Sequence, residues 1–486
     1  MRRRLLTLAI AALLTVGMLP ANALTTAVPV VASDSVKVVG SIPNATAISA
    51  AFASDAPIMY LHTLNGLVTY DISNPELPVP MATLPLPNFQ NEAMSLGERS
   101  DGTKFLIVGF DIYGVTPQDS DRPVALDYEL VIIDVTDPAA PRLRGRTQTE
   151  SSTHTVSCAD PECMVAYTSG AYEPFFNPID LSDLDNPKQL PQIRSIAGSG
   201  HDWDADAVGL QWHVGTQGMV AYDTTDPTNP VPVASTDRNG VVGRSAYNNF
   251  ILHNSIRPHA EAFTQTVGED GRLTSGDPDL FSGNVLLATE EDYIDATCKA
   301  EGAFSTWHIP YLDAEQYAAD NPEHRYGFGK MKPLDLWNTE LLDSGVKTPA
   351  GAFCSAHYFD YHQDGIVAQG WYQQGTRFLD VRDPSNIKQV GYFFTGAMET
   401  WGAYWVPEYD DAGNQTGNKT DIVYTNDVVR GLDILQFDFA GLQAPADTEN
   451  QRAPILPQWL NASATTLVSS LPSKQFGYLC RLTPGV

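Results

Sequence analysis

The sequence predicts an all-β chain: a seven-bladed β-propeller of four-stranded blades, with the ring closed by the N-terminal strand. Three observations predict it. A short phrase recurs, an apolar run ending in Asp and followed by Asp/Asn-Pro: GLVTYDISNP at 66–75, ELVIIDVTDP at 129–138, GMVAYDTTDP at 218–227 and GTRFLDVRDP at 375–384. Each of these copies is followed by one more strand-like run (79–83, 142–146, 231–235, 388–392), whereas the last copy of the repeat runs into an Ala/Pro/Asp-rich tail. The chain holds 34 Pro and 37 Gly and few long amphipathic stretches, a composition that favours short strands joined by many turns.

The elements follow in order. Arg2, Arg3 and Arg4, the apolar run 5–19 and the small residues Ala21-Asn22-Ala23 make a secretory signal peptide over 1–23, too short for a stable transmembrane span. The mature chain is therefore expected to be exported, beginning near Leu24, with no transmembrane segment. The propeller is expected over 24–440 and a C-terminal tail, packed on or beside it, over 441–486. Within the repeat, the apolar alternation is a strand and the Asp/Asn-Pro a turn, because Pro fixes φ and removes a ladder donor. Taking Asp71 as anchor, the equivalent positions are Asp134, Asp180, Asp223 and Asp380. The Asp180 copy reads as looser, with three extra residues before Pro187. Two degenerate copies place His308 and Gln436 at the anchor, which brings the count to seven. The run 35–41 resembles 387–392 yet precedes any anchor, so it is expected to supply the missing outer strand of blade seven and protect the ring's edges. Insertions are read at 112–128 in blade two, at 260–282 in blade five, and at 313–347 between blades five and six, the last partly helical.

With these copies laid out, the phrase resembles the LVIVD repeat of secreted and surface bacterial proteins, over roughly residues 35–440. The resemblance implies a propeller and carries no catalytic residues with it.

Lys and Arg number 29 against 58 Asp and Glu, a net charge of −29, and loss of Arg2–Arg4 makes the chain more negative still. That argues against nucleic acid or an anionic membrane as partner. Cys158 and Cys163 flank Ala-Asp-Pro-Glu, a setting for a local disulfide in an exported protein. Cys298 and Cys354 offer a pairing across neighbouring repeats, and Cys480 is left over in the tail. There is no G-x-S-x-G, P-loop or H-E-x-x-H, so hydrolase-elbow, NTPase and zincin chemistries have no support. Asp202-Trp203-Asp204-Ala205-Asp206 lacks the Gly and Glu of a calcium loop and reads as an inner strand with alternating acidic residues.

Four of the ten histidines share one repeat position. His154, His201, His253 and His357 each follow an outer strand and open the innermost strand of blades three to six. Innermost strands line the axis, so the four imidazoles are expected to converge at one mouth. Glu92 holds the slot in blade two, Trp401 or Thr400 in blade seven, and Thr46 or Ala47 in blade one. Four His and a carboxylate make a divalent-metal constellation for Zn, Fe or Cu, suited to metal-assisted oxidation or hydrolysis of a small extracellular substrate at the axial mouth. Loops between second and third strands are expected to surround that mouth with His62, Glu173, Gln217, Tyr372, Asn426 and Asp427. Glu290 and Glu291 are candidate general bases there, and Arg257 and His259 lie a little deeper. The competing reading is a non-catalytic binding propeller, its His ring a hydrogen-bonded staple between blades.

Overall fold

The computed structural model describes residues 30–43, 46–86, 92–110, 128–170, 173–236, 250–292, 302–322, 331–339, 355–395 and 398–443. Seven antiparallel sheets succeed one another along the chain, each running from an innermost to an outermost strand. The innermost strands are Ala47–Phe52, Met94–Glu98, Thr155–Cys158, Gly200–Ala205, Ile251–Ile256, Ala356–His362 and Thr400–Tyr409. The apolar alternation of the phrase has a packing consequence. Alternate side chains of each sheet face opposite neighbours, so the core is a set of layers between blades. One layer joins Tyr60 and Leu67 of blade one to Leu106, Val131 and Ile133 of blade two. Another joins Trp212 and Met219 of blade four to Leu286 and Trp307 of blade five. Each such buried large side chain stabilises the fold by roughly 1.5–3 kcal/mol.

The turn phrase is a pair of successive side-chain-closed turns. The anchor carboxylate accepts the backbone N–H two residues on, at 2.9 Å in Asp71, 3.0 Å in Asp134, 2.9 Å in Asp180, 2.8 Å in Asp223 and 3.1 Å in Asp380. Three residues past each anchor, Asn74, Asp137, Asp183, Asp226 and Asp383 repeat the arrangement. The Asp180 copy is therefore not looser. Asp183 keeps the spacing, and Leu184 takes the place of Pro while burying its side chain in the layer between blades two and three. The turn is specified by the two carboxylate-to-amide bonds, with Pro a frequent addition. The proline carbonyls then dock on the preceding blade. Thr69 Oγ1 donates to Pro138 O at 2.7 Å, Tyr167 Oη to Pro227 O at 2.6 Å and Tyr424 Oη to Pro75 O at 2.8 Å, while Thr306 bonds Pro384.

Closure occurs as the sequence predicts. Val36–Ile42 pairs antiparallel with Gly431–Phe437, from Val36 opposite Phe437 to Ile42 opposite Leu432. The N-terminal segment does more than that. Val30–Ala32 adds a fifth strand to blade six, against Lys388–Thr395, and Ser35 Oγ donates to Val390 O at 2.8 Å. One short segment thus joins the last two blades.

One placement differs from expectation. Lys332–Trp337 pairs with Phe304–His308 as the outer strand of blade five, so the insertion after Asp313 lies inside that blade and not between blades five and six. It does hold a helix, Ala314–Asp320, capped by Asp313 accepting from Gln316 N at 2.7 Å. The 260–282 insertion carries two 3-10 turns and the small hairpin Thr266–Val267/Leu273–Thr274. Cys158 and Cys163 form a disulfide; Cys298, Cys354, Cys480, the signal segment, the 112–127 insertion and the tail from 444 lie outside the described residues. Asp223→Ala removes acceptors for both Thr225 N and Thr225 Oγ1. It is expected to lower stability by about 1–2 kcal/mol, with Asp223→Asn losing less, read as the shift in urea midpoint at unchanged m-value.

Candidate metal centre

A strand that alternates strictly cannot present two successive residues to the axis. The innermost strands avoid that limit by bulging. Register slips between Gly200 and Trp203, Leu252 and Ser255, and Ala356 and Phe359, and each slip brackets one histidine: His201, His253 or His357. A bulge re-aims a side chain and is enriched beside functional sites. Blades one and seven bulge at Ala47/Ser49 and Thr400/Gly402. That register puts Ile48 and Trp401 in the histidine slot, so in blade one the slot is neither Thr46 nor Ala47. Ile48, Trp401, Tyr372 and Val428 form a small buried apolar cluster.

The four predicted histidines and Glu92 meet at one point. Glu92 Oε2 lies 3.4 Å from His154 Nε2, 3.2 Å from His201 Nε2, 3.4 Å from His253 Nε2 and 3.7 Å from His357 Nε2. His154 Nε2 and His201 Nε2 are 3.1 Å apart. All five residues are buried. Glu291 stands on the other side of the ring, 3.9 Å from both His201 Nε2 and His357 Nε2. Its other bond comes from the Tyr372 hydroxyl. The sets Glu92–His201–His253 and His253–Glu291–His357 each hold their ligand atoms within 4.8 Å of one another and could hold a metal ion.

Electrostatics favour neutral His201 and His253 rings beside one negative charge. Burial depresses His201 to about 4 and holds His253 well below the usual imidazole value. Burial works against ionised Glu92, yet His154 and then His201 hold its carboxyl well below the ordinary range. Glu291 is pushed up to about 7 by burial, with the Glu92 charge adding to it. A neutral imidazole has one donor and one acceptor nitrogen. His357 Nδ1 donates to Trp401 O at 2.7 Å, which turns its Nε2 to the centre. Nε2 of both His253 and His357 makes no hydrogen bond of acceptable geometry among the described residues.

The other candidates are held elsewhere. Glu290 accepts backbone N–H groups from Phe250 and Gly302, both at 3.0 Å, and so ties two chain segments together. Arg257 forms a buried ion pair with Asp206 at 2.7 Å and donates to Gly283 O at 2.8 Å. His259 bonds the Tyr361 hydroxyl at 2.7 Å. Asp206 takes no part in a calcium loop; its oxygens accept from Val208, Leu210, Trp212 and Arg257.

Three contributors escaped the sequence reading. His213 lies on the second strand of blade four, its Nδ1 donating to Asp202 O at 3.0 Å and its ring stacked on Trp203 at 3.9 Å. A Cβ on Gly200 would stand 2.2 Å from that ring, so the glycine before His201 makes room for it. The Trp401 carbonyl orients His357 and gives no side-chain signal at all. Below it, Trp401 Nε1 donates to Glu399 at 3.1 Å, and Asp427 accepts from Glu399 N and Thr400 Oγ1.

Residues 124–149 match the family model of the LVIVD repeat, over the third and outer strands of blade two. The chain carries an LVIVD repeat. No curated protein matches the chain. Among solved structures, the β-propeller domain of Myceliophteria thermophila Cps50 (Swd1) is similar at TM-score 0.51 and 10% identity, covering 82% of this chain and 99% of that one. The RRP9 WD40 repeats reach TM-score 0.48 at 8% identity, covering 84% and 99%. The likeness to Cps50 shows the propeller fold. The LVIVD phrase here is scaffold: the described site residues all lie outside 124–149.

Burial raises Glu399 from 4.5 to about 7. Its folded-state value lies above the unfolded one, so the stability it contributes is complete below about pH 4.5 and is lost as pH rises through about 7. Glu399→Gln is expected to match the parent at pH 5 and to exceed it at pH 8 by up to roughly 3 kcal/mol. Thermal melts across pH 5–8 check this, and a gap independent of pH contradicts it.

Proposed function

We propose that this LVIVD-repeat propeller is an exported protein that holds a divalent transition metal at its axis. His154, His201, His253 and His357 are its ligands, and Glu92 is a fifth ligand or the group that orients them. The observation that carries the reading is the meeting of four buried Nε2 atoms within 3.7 Å of one carboxylate oxygen. Two imidazole nitrogens 3.1 Å apart need a shared proton or a cation between them, and His201 and His253, which burial favours as neutral, keep lone pairs for the cation. Imidazole donors suit Zn, Fe and Cu, and a single carboxylate favours Zn or Fe.

Such an ion supplies Lewis acidity or redox capacity, and the reading extends to oxidation or hydrolysis of a small substrate. Glu291 suits the proton-handling role, since its carboxyl titrates near 7 and the Tyr372 hydroxyl fixes it beside His201 and His357. An axial cavity of about 300 Å³ reaches Glu92, which suits a ligand of small size.

A staple between blades is the second reading, favoured by the His357–Trp401 and His154–His201 bonds between neighbouring blades. Elemental analysis separates the two. Protein purified without chelators is expected to carry close to one equivalent of transition metal, and His201→Ala/His253→Ala to lose it. A metal-free parent whose double variant melts unchanged overturns the metal reading.

A further inference from the structure

Among the described residues, the apolar side chains Ile48 and Trp401 complete the ring in blades one and seven and pack with Tyr372 and Val428. The cavity that reaches Glu92 runs along the innermost strands towards their far ends. There Ala205 is exposed and Ile256 half-buried, so the space opens on the face opposite the histidines.

Its walls mix polar and apolar groups, and their charged side chains are mostly of one sign. Asp202, Asp204 and Asp360 line it with one opposing cation, Lys419, whose Nζ lies 2.8 Å from Asp360 Oδ2. Burial raises the Asp204 carboxyl to about 7, and the nearby Asp360 charge adds to it. Ser49 Oγ and Trp203 Nε1 belong to the same walls, are buried, and have no hydrogen-bond partner among the described residues. A space with unsatisfied buried polar groups on its walls and room for several molecules holds water. A wet passage lined by carboxylates between low-dielectric walls concentrates cations.

We infer that this axial passage is the loading route of the metal ion: a hydrated divalent cation enters at the Ala205–Lys419 end, passes Asp360, Asp204 and Asp202, and is delivered to Glu92 and the four imidazoles. The inference rests on the metal reading above. Glu92 is the one residue common to the passage wall and the ring, so it is the point at which an arriving ion exchanges water for nitrogen ligands. The Lys419 ammonium, held on Asp360, opposes entering cations.

The test uses chelator-stripped full-length protein and Co²⁺ alone, with uptake followed by elemental analysis of rapidly desalted time points. Asp204→Asn is expected to load about tenfold more slowly at low ionic strength, and less so at high salt. Lys419→Met is expected to load several-fold faster. Ala205→Trp changes no charge and sits on the exposed rim, so it keeps the fold and slows uptake by obstruction. All three are expected to reach the parent's final stoichiometry, and near-UV circular dichroism shows whether each is folded. Equal uptake rates in parent and folded variants overturn the route and leave the metal site standing. A folded parent that takes up no Co²⁺ overturns the site reading and the route with it.

Discussion

The antiparallel pairing of Val36–Ile42 with Gly431–Phe437 is the constraint on which everything else rests. Each of the five converging residues at the axis comes from a different blade. Their separations are therefore set by how the blades pack and by the ring being closed. A ring opened by a few ångströms at one seam would spread four nitrogens that now lie within 3.7 Å of one oxygen. The proline-carbonyl contacts between neighbouring blades and the apolar layers beneath them transmit that closure around the circle. Scaffold and cluster are coupled through geometry, although no residue of the recurring turn phrase belongs to the cluster itself.

The centre is costly to assemble. Burying a carboxylate and four imidazoles together costs several kcal/mol unless their polar atoms are matched. Glu92 stays ionised because the rings surround it, and His201 and His253 stay neutral because water is excluded. The arrangement is internally consistent only around a shared positive charge, whether a proton or a metal ion. Supporting bonds from Trp401, Tyr372 and Asp427 help to fix the geometry of the cluster.

The sequence made the repeat register legible, and through it the equivalence of His154, His201, His253, His357 and Glu92, because period and turn chemistry are local. It also showed the closing strand, by a missing piece at one end and a spare one at the other. What it hid is non-local or lacks a side chain. The bulges that aim three of the histidines arise from sheet pairing, so simple alternation misplaced the blade-one slot by one or two residues. The Trp401 carbonyl is backbone. His213 has no equivalents in other repeats and is defined by a glycine thirteen positions earlier in the chain. The Asp180 turn looked irregular because Pro is conspicuous in a sequence, while the carboxylate-to-amide bonds that specify the turn are not. Arg257 and His259 fell near the right strand, but their partners, Asp206 and Tyr361, could be seen only in three dimensions.

The N-terminal segment that laces blades six and seven together also imposes a schedule. It is the first part of the propeller to be synthesised, and its partners around residues 388–395 and 431–437 are nearly the last. Until they appear, blades already formed have no ring to belong to, and the segment itself must stay unpaired. Contacts so distant along the chain are slow to form, and unpaired edges invite association with other chains. The architecture therefore suits a chain whose folding begins only once all of it is available, rather than one that folds blade by blade behind the ribosome.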